Sequence, residues 1–322
     1  MARKQTVLIW EQLERFNTVD LNTDFTVINV DTFFSNTKQH LNDVEGIILS
    51  PMDISKFLNC VDISSFSNLK AVSVCGAGIN GLDVVELRKR KVRVSSIPQV
   101  TAEPTADLAF MMMLAAARNL TKALEISKKG SATRDAAYSK LIGQNVTGAT
   151  LGILGMGNIG YCIAKRAMGF RMKVLYHNRT RRSQLDEECV NAKYCNTLEE
   201  LLKQADFLVI AVPLTVETRK LIRQPQLALM KPTSILINVG RGSVVDTDYL
   251  VEALQNGTIS AAGLDVTEPE PLPQDHPLRH MQNVIITPHS ATATVECINE
   301  MNQQAVQNLK AGLSGGVMNI EI

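Results

Sequence analysis

The sequence predicts an α/β protein made of two doubly wound parallel-sheet domains, and three observations predict it. Short β-branched runs alternate with helical stretches, the pattern of strand–helix–strand units rather than of a sandwich or a bundle. A length of 322 residues with 45% hydrophobic content sits where one core usually gives way to two. The strand-like runs also fall into two series, separated by a long helical stretch and a polar, breaker-containing region at 128–144.

The first series comprises 6–10, 25–30, 46–50, 70–74 and 92–97, enough for one small sheet. A helix is predicted after Thr101, with Glu103 and Pro104 in its first turn and apolar residues from Leu108 through Met112 to Ala115. It makes a natural bridge between domains. The second series comprises 150–155, 173–177, 207–212, 234–239, 261–266 and 284–287, runs so continuously apolar that helices are expected on both faces of their sheet. A final helix is predicted over 292–313, with Gly312, Gly315 and Gly316 near its end.

Composition narrows the function class. Lys and Arg number 33 against 32 Asp and Glu, a formal net charge of +1, so no global field points to nucleic acid or an anionic membrane as partner. No stretch approaches the roughly 20 apolar residues of a membrane span, and the N-terminus lacks a basic region followed by an apolar core. The chain therefore reads as soluble and unexported. None of Cys60, Cys75, Cys162, Cys189, Cys195 and Cys297 forms a C-x-x-C pair, which fits reduced thiols in the cytoplasm. Of the five histidines only His276 and His280 stand at H-x-x-x-H spacing, with Pro277 between them, no pair stands at H-x-x-H spacing, and no metal site is expected.

Directly after the run at 150–155, Gly155-Met156-Gly157-Asn158-Ile159-Gly160 supplies G-x-G-x-x-G and leads into a helical pattern through Ile163, Ala164 and Ala167. Gly155 permits a tight turn, Gly157 removes a Cβ that would block a pyrophosphate, and Gly160 lets helix and strand pack closely. The phosphates then meet backbone N–H groups at the positive end of a helix. This is the signature of a Rossmann-type dinucleotide-binding domain. The next strand ends in Asn178-Arg179-Thr180-Arg181-Arg182, with no carboxylate where an NAD enzyme carries one for the ribose hydroxyls. Arg179 and Arg181 can instead offer guanidinium forks to a 2′-phosphate, so NADPH is preferred, with NADH usable. The plainer alternative is a solvated basic loop.

Three ionisable residues close strands of the second series: Arg241, Glu270 in Glu268-Pro269-Glu270-Pro271, and His289. The carboxyl ends of parallel strands face the ligand crevice, so the three can converge beside a nicotinamide. Reduction of a 2-oxo acid needs a cation for the carboxylate and developing oxyanion, and a proton donor for the oxygen as hydride reaches C2. Arg241 suits the first task and His289 the second, with Glu270 favouring a protonated imidazole. Taken singly, each also fits an ordinary structural use, as a loop cap, a turn residue or a backbone partner.

On these residues the sequence resembles the D-isomer-specific 2-hydroxyacid dehydrogenases, most closely their glyoxylate/hydroxypyruvate reductase branch. The matching stretches are 69–100, 141–160, Ile237-Asn238-Val239-Gly240-Arg241-Gly242, 263–273 and Thr287-Pro288-His289. The resemblance implies an NAD(P)-dependent oxidoreductase of EC 1.1.1 type, with its active site in a cleft between the domains. Residues 1–102 with 291–322 would form a discontinuous substrate domain, and 103–290 the domain for dinucleotide binding and homodimerisation. It further implies that Arg241 binds substrate carboxylate and carbonyl, that Glu270 supports the proton donor His289, and that Asp265 lies by the nicotinamide carboxamide. Ala77 and Gly78 would cradle the substrate carboxylate, while Val212, Pro213, Thr218, Val239, Gly240 and Ala291 would line the cofactor cleft.

Three positions depart from the family pattern, with Asn80 standing for Asp, Asp107 for Glu and Ala291 for Gly, and the tryptophan the family often carries between the helix and the nucleotide domain is absent, Trp10 being the only one. Two rival functions stay open. A sugar-acid reductase acting on a 2-ketogluconate-type substrate would use the same three residues. A nucleotide-sensing protein like the C-terminal-binding corepressors keeps them too, with additional disordered tails.

Overall fold

The computed structural model describes residues 3–10, 21–129, 138–139 and 141–322. The polar region expected at 128–144 lies partly outside these residues. The chain divides into two compact units, Met1–Thr101 with Thr292–Ile322, and Ala102–Ala291.

The first unit holds β1 (Gln5–Trp10), β2 (Phe25–Ile28), β3 (Val44–Leu49), β4 (Ala71–Val74) and β5 (Arg93–Ser95) in one parallel sheet of order β2-β1-β3-β4-β5. The inner strands β1, β3 and β4 are short, mostly buried runs, whereas the edge strand β2 leaves Thr26 exposed. Val30, expected to end a strand, begins a helix instead. Asn29 causes the change, because its side chain accepts a hydrogen bond from the Thr32 amide and caps Val30–Ser35. The C-terminal helix, Val295–Ser314, is capped by the Thr294 side chain at one end and by left-handed Gly315 at the other. Its Ala305, Val306 and Leu309 join Val7, Ile9 and Ile48 in a single buried cluster. The segment that follows it returns to the sheet edge, where Glu321 bridges Ser95 in antiparallel fashion and forks onto Arg93 at 2.8 and 2.6 Å.

The second unit holds β6 (Thr150–Leu154), β7 (Lys173–His177), β8 (Ala192–Tyr194), β9 (Phe207–Ile210), β10 (Ile235–Asn238), β11 (Ala261–Leu264) and β12 (Val284–Ile286). All pair in parallel, in the order β12-β11-β10-β9-β6-β7-β8. The continuous apolar runs explain the two-sided burial. Phe207 and Val209 of β9 join one core cluster with Ile235 and Ile237, while Leu208 and Ile210 join another with Leu236. Full burial of each such side chain stabilises the fold by about 1.5–3 kcal/mol. The helix Ala102–Ala117 begins where the sequence places it and covers the first of these faces through Ala106, Ala109 and Met113.

The strand order fixes where a ligand can bind. From β6 the chain winds outward through β7 and β8, then crosses back and winds the other way through β9 to β12. The reversal leaves a crevice beyond the carboxyl ends of β6 and β9, the topological switch point at which open parallel sheets take their ligands.

Candidate active site

The glycine loop leaves β6 at the switch point. Gly155 has φ +96°, and a Cβ there would meet the Val212 side chain at 2.6 Å and the Val212 amide nitrogen at 2.9 Å. At Gly160 a Cβ would lie 2.3 Å from the Gly155 carbonyl oxygen, so no larger residue lets the helix Asn158–Gly169 pack so closely. Gly157 differs: a Cβ there would meet nothing within 4 Å. The side chain is missing over open space, which is the shape a pyrophosphate needs.

Gly157 also caps the helix without a side-chain hydrogen bond. The amides of Gly157, Asn158, Ile159 and Gly160 have no acceptor among the described residues, as expected of a first helical turn awaiting an anion. Asn178 fixes the loop from the end of β7, its Oδ1 accepting the Met156 amide at 2.6 Å. By this test the residues present fit the phosphates of a dinucleotide.

On the other side of the switch, Val212 and Gly240 follow β9 and β10, and a Cβ at Gly240 would lie 2.7 Å from the Val212 carbonyl oxygen. Pro213 is tied to Thr218, whose hydroxyl donates to the Pro213 carbonyl at 2.7 Å. Buried Asn238 shapes the turn that carries Arg241: its Oδ1 accepts the Gly240 amide and its Nδ2 donates to the Arg241 carbonyl. A polar residue closing an apolar strand was the signal for this role, which the motif reading missed.

Arg241, Glu270 and His289 follow β10, β11 and β12 in turn, and the structure brings them together. His289 Nδ1 lies 2.6 Å from Glu270 Oε1. Glu270 Oε2 accepts the Thr267 amide at 3.2 Å. Burial pushes the Glu270 carboxyl up, but the His289 hydrogen bond and charge, the Thr267 amide and the Arg241 charge outweigh it and hold the group below its ordinary value. Burial lowers the Arg241 guanidinium, with Glu270 opposing that shift. The three groups are thus electrically coupled, with a largely desolvated cation beside a paired carboxylate.

Asp265 organises the backbone around His289. Its own carbonyl accepts the His289 amide at 2.8 Å, and its buried carboxylate accepts from Thr287 Oγ1 at 2.7 Å and from the amides of Ser290 and Ala291 at 2.8 and 3.2 Å. His289 itself stands at φ +51°. Nearby, the Ser243 hydroxyl donates to Glu268, and the Thr247 hydroxyl donates to the Glu268 carbonyl.

The basic loop after β7 differs from the expectation at one residue. Arg181, expected at a 2′-phosphate, sends Nε and Nη2 to Glu187 at 2.8 and 2.7 Å. Arg179 and Thr180 are exposed, and among the described residues neither side chain has a hydrogen-bonded partner. Arg182, outside the expected contacts, donates to the Met156 carbonyl at 3.0 Å and lies 4.7 Å over the Tyr161 ring.

In the first unit, Ala77 and Gly78 follow β4, and neither amide has an acceptor among the described residues. Of the departures from the family pattern, Asp107 takes Arg166 Nε at 2.7 Å, alongside a Glu103 ion pair at 2.6 Å. Trp10 packs edge-on against Phe57 and Phe34. Among the described residues, no helix is long and apolar enough to cross a membrane, and no group of three or more His, Cys, Asp or Glu could hold a metal ion.

Comparison with known proteins places this arrangement. Residues 110–291 match the family described as D-isomer specific 2-hydroxyacid dehydrogenase, NAD binding domain. The chain is 41% identical over 315 residues to a glyoxylate/hydroxypyruvate reductase B of Pectobacterium atrosepticum, covering 98% of this chain and 96% of that one. It is 42% identical over 263 residues to a glyoxylate reductase of Pyrococcus furiosus, covering 80% of this chain and 77% of that one. Among solved structures, the NADPH-dependent glyoxylate/hydroxypyruvate reductase of Sinorhizobium meliloti, in complex with NADP and malonate, superposes with a TM-score of 0.86 at 33% identity, covering 99% and 97% of the two chains. With a complete dinucleotide fold and a coupled Arg–Glu–His set at successive strand ends, the chain belongs to the D-isomer-specific 2-hydroxyacid dehydrogenases, in their glyoxylate/hydroxypyruvate reductase branch, and is an oxidoreductase.

Proposed function

We propose that the protein reduces a small 2-oxo acid, glyoxylate or hydroxypyruvate, to the 2-hydroxy acid, of D configuration where C2 becomes a stereocentre, at the expense of NADPH. The observation that carries this reading is the 2.6 Å contact between His289 and Glu270, in electrostatic reach of Arg241. A reduced nicotinamide, when bound, supplies the hydride that C2 accepts. His289, with Nδ1 engaged by Glu270, keeps Nε2 for the substrate oxygen and gives it a proton there. Arg241 holds the carboxylate and stabilises charge growing on the carbonyl oxygen, an interaction made stronger by its own burial. Glu270 orients the imidazole and stabilises its positive charge before the proton leaves.

For the cofactor, the open Gly157 and the unpaired first-turn amides support a dinucleotide, and the absence of a carboxylate at the end of β7 supports NADPH, with Arg179 on the 2′-phosphate and NADH as a weaker substitute. The NADP complex of the Sinorhizobium relative agrees with this choice. Following the family resemblance, we assign the substrate carboxylate to the backbone of Ala77 and Gly78, and the nicotinamide carboxamide to Asp265. Residues 1–102 with 291–322 are assigned as the substrate domain, and a cytoplasmic location as the setting. We further assign a homodimer joined through 103–290, where Met111, Leu114, Leu120 and Leu124 leave apolar surface exposed.

Steady-state rates over a series of 2-oxo acids of increasing length, each with NADPH and with NADH, test the proposal. The highest kcat/KM is expected for the two- and three-carbon acids with NADPH. A maximum at a six-carbon sugar acid would point to the 2-ketogluconate-type reaction. Cofactor binding without turnover of any acid would point to a nucleotide sensor.

A further inference from the structure

The loop between β7 and the helix Gln184–Cys189 carries three arginines that the structure sorts into different tasks. Glu187, in the first turn of that helix, is buried, yet it receives two hydrogen bonds from Arg181 and a third, at 2.5 Å, from the Tyr176 hydroxyl. The Tyr176 oxygen in turn accepts the Arg182 amide at 3.0 Å. At the other end of the loop, the Tyr194 hydroxyl donates to the Asn178 carbonyl at 3.0 Å, and Asn178 is bound to the glycine loop. Both ends of a two-residue span are therefore fastened, and that span is Arg179-Thr180.

Two consequences follow from elementary electrostatics. A buried carboxylate near a phosphate would repel it, and the Arg181 fork cancels that charge. A cation on a span fixed at both ends also loses less conformational entropy when it takes a ligand than one on a free loop. Resting on the NADPH reading above, we propose that Glu187 is a positioning residue for cofactor choice: by spending Arg181 and bracing Tyr176, it holds the loop so that Arg179 and Thr180 meet the 2′-phosphate.

Calorimetric titration with adenosine 2′,5′-bisphosphate and with adenosine 5′-monophosphate tests this without turnover, since the two probes differ only in the phosphate at issue. Glu187→Gln is expected to weaken the bisphosphate by about fivefold or more while changing the monophosphate by less than about twofold. Tyr176→Phe, which removes one hydroxyl from the same brace and keeps the ring, is expected to move the ratio in the same direction by a smaller factor, and it stands in if Glu187→Gln fails to fold. Three results overturn the inference: an unchanged ratio in both variants, an equal loss of both probes, or tighter bisphosphate binding, the last meaning that a released Arg181 serves the phosphate better. Arg179→Ala separates the inference from the reading beneath it. If that variant lowers the ratio and Glu187→Gln does not, NADPH recognition stands and the role of Glu187 falls; if Arg179→Ala leaves the ratio unchanged, both fall.

Discussion

The two sides of the switch point in the seven-stranded sheet hold their charges by different means. Beyond β10, β11 and β12, Arg241, Glu270 and His289 ride on turns governed by backbone contacts, with the Asn238 and Asp265 side chains gripping amides and carbonyls. Beyond β7, the arginines are sorted by side chains acting on side chains, through Glu187, Tyr176 and the Tyr161 ring. The first arrangement ties function to strand ends and tolerates little change. The second rests on a few side chains, so on the proposed reading the cofactor preference could be altered by substitutions there without touching Arg241, Glu270 or His289.

Variants on the catalytic side should break this contrast most sharply. His289→Ala is expected to lower kcat roughly 10²-fold or more, as for loss of a general acid, while NADPH affinity measured by fluorescence titration stays within about twofold. Near-normal turnover would remove His289 from the chemistry. Glu270→Gln keeps the shape but not the charge, and a fall in kcat on the order of tenfold is expected from a lost charge-assisted hydrogen bond; a change confined to KM would contradict a role in orienting the imidazole. On the adenosine side, Arg179→Ala should raise the Kd for NADPH roughly tenfold and that for NADH by less than about twofold. Equal effects on the two cofactors would assign the basic loop to solvent.

The smallest effect concerns acid stability. The Arg181 hydrogen bonds, opposed by burial and aided by Tyr176, lower the Glu187 carboxyl from 4.5 to about 2. Because the folded value is depressed, its contribution is complete above pH 4.5 and disappears as pH falls toward about 2. The Tm difference between the native protein and Glu187→Gln should therefore shrink across that window. A difference that stays constant from pH 5 to 2.5 would argue that the pair carries no linked proton.

Most of the architecture was legible because the central strands are buried on both faces and read as apolar runs, as in Phe207–Ile210 and in Ile235–Asn238 up to its closing Asn238. β8 escaped because Ala192–Tyr194 is a three-residue edge strand, none of it fully buried, with Lys193 in its middle. Val212 was expected inside a strand, but β9 ends at Ile210, and Val212 is needed beside Gly155 and Gly240. Short-range motifs made the glycine loop and the three ionisable strand-end residues visible. The fate of Arg181 was not visible: Ser183 and Asp186 mark the start of the helix, but no local pattern announces that Glu187, six positions onward, is buried and takes the guanidinium. Tyr176 was hidden likewise, a core aromatic whose hydroxyl alone takes part in the brace.

The positive φ of His289 limits what can be installed at that position. Val, Ile and Thr resist a left-handed backbone, so exchanging His289 for any of them would deform the turn along with removing the imidazole, and lost turnover would then report a damaged loop. Asn accepts that conformation readily. For an inert form that still captures cofactor and substrate, as a crystallographer or a ligand-fishing experiment would want, Asn is the replacement this backbone recommends.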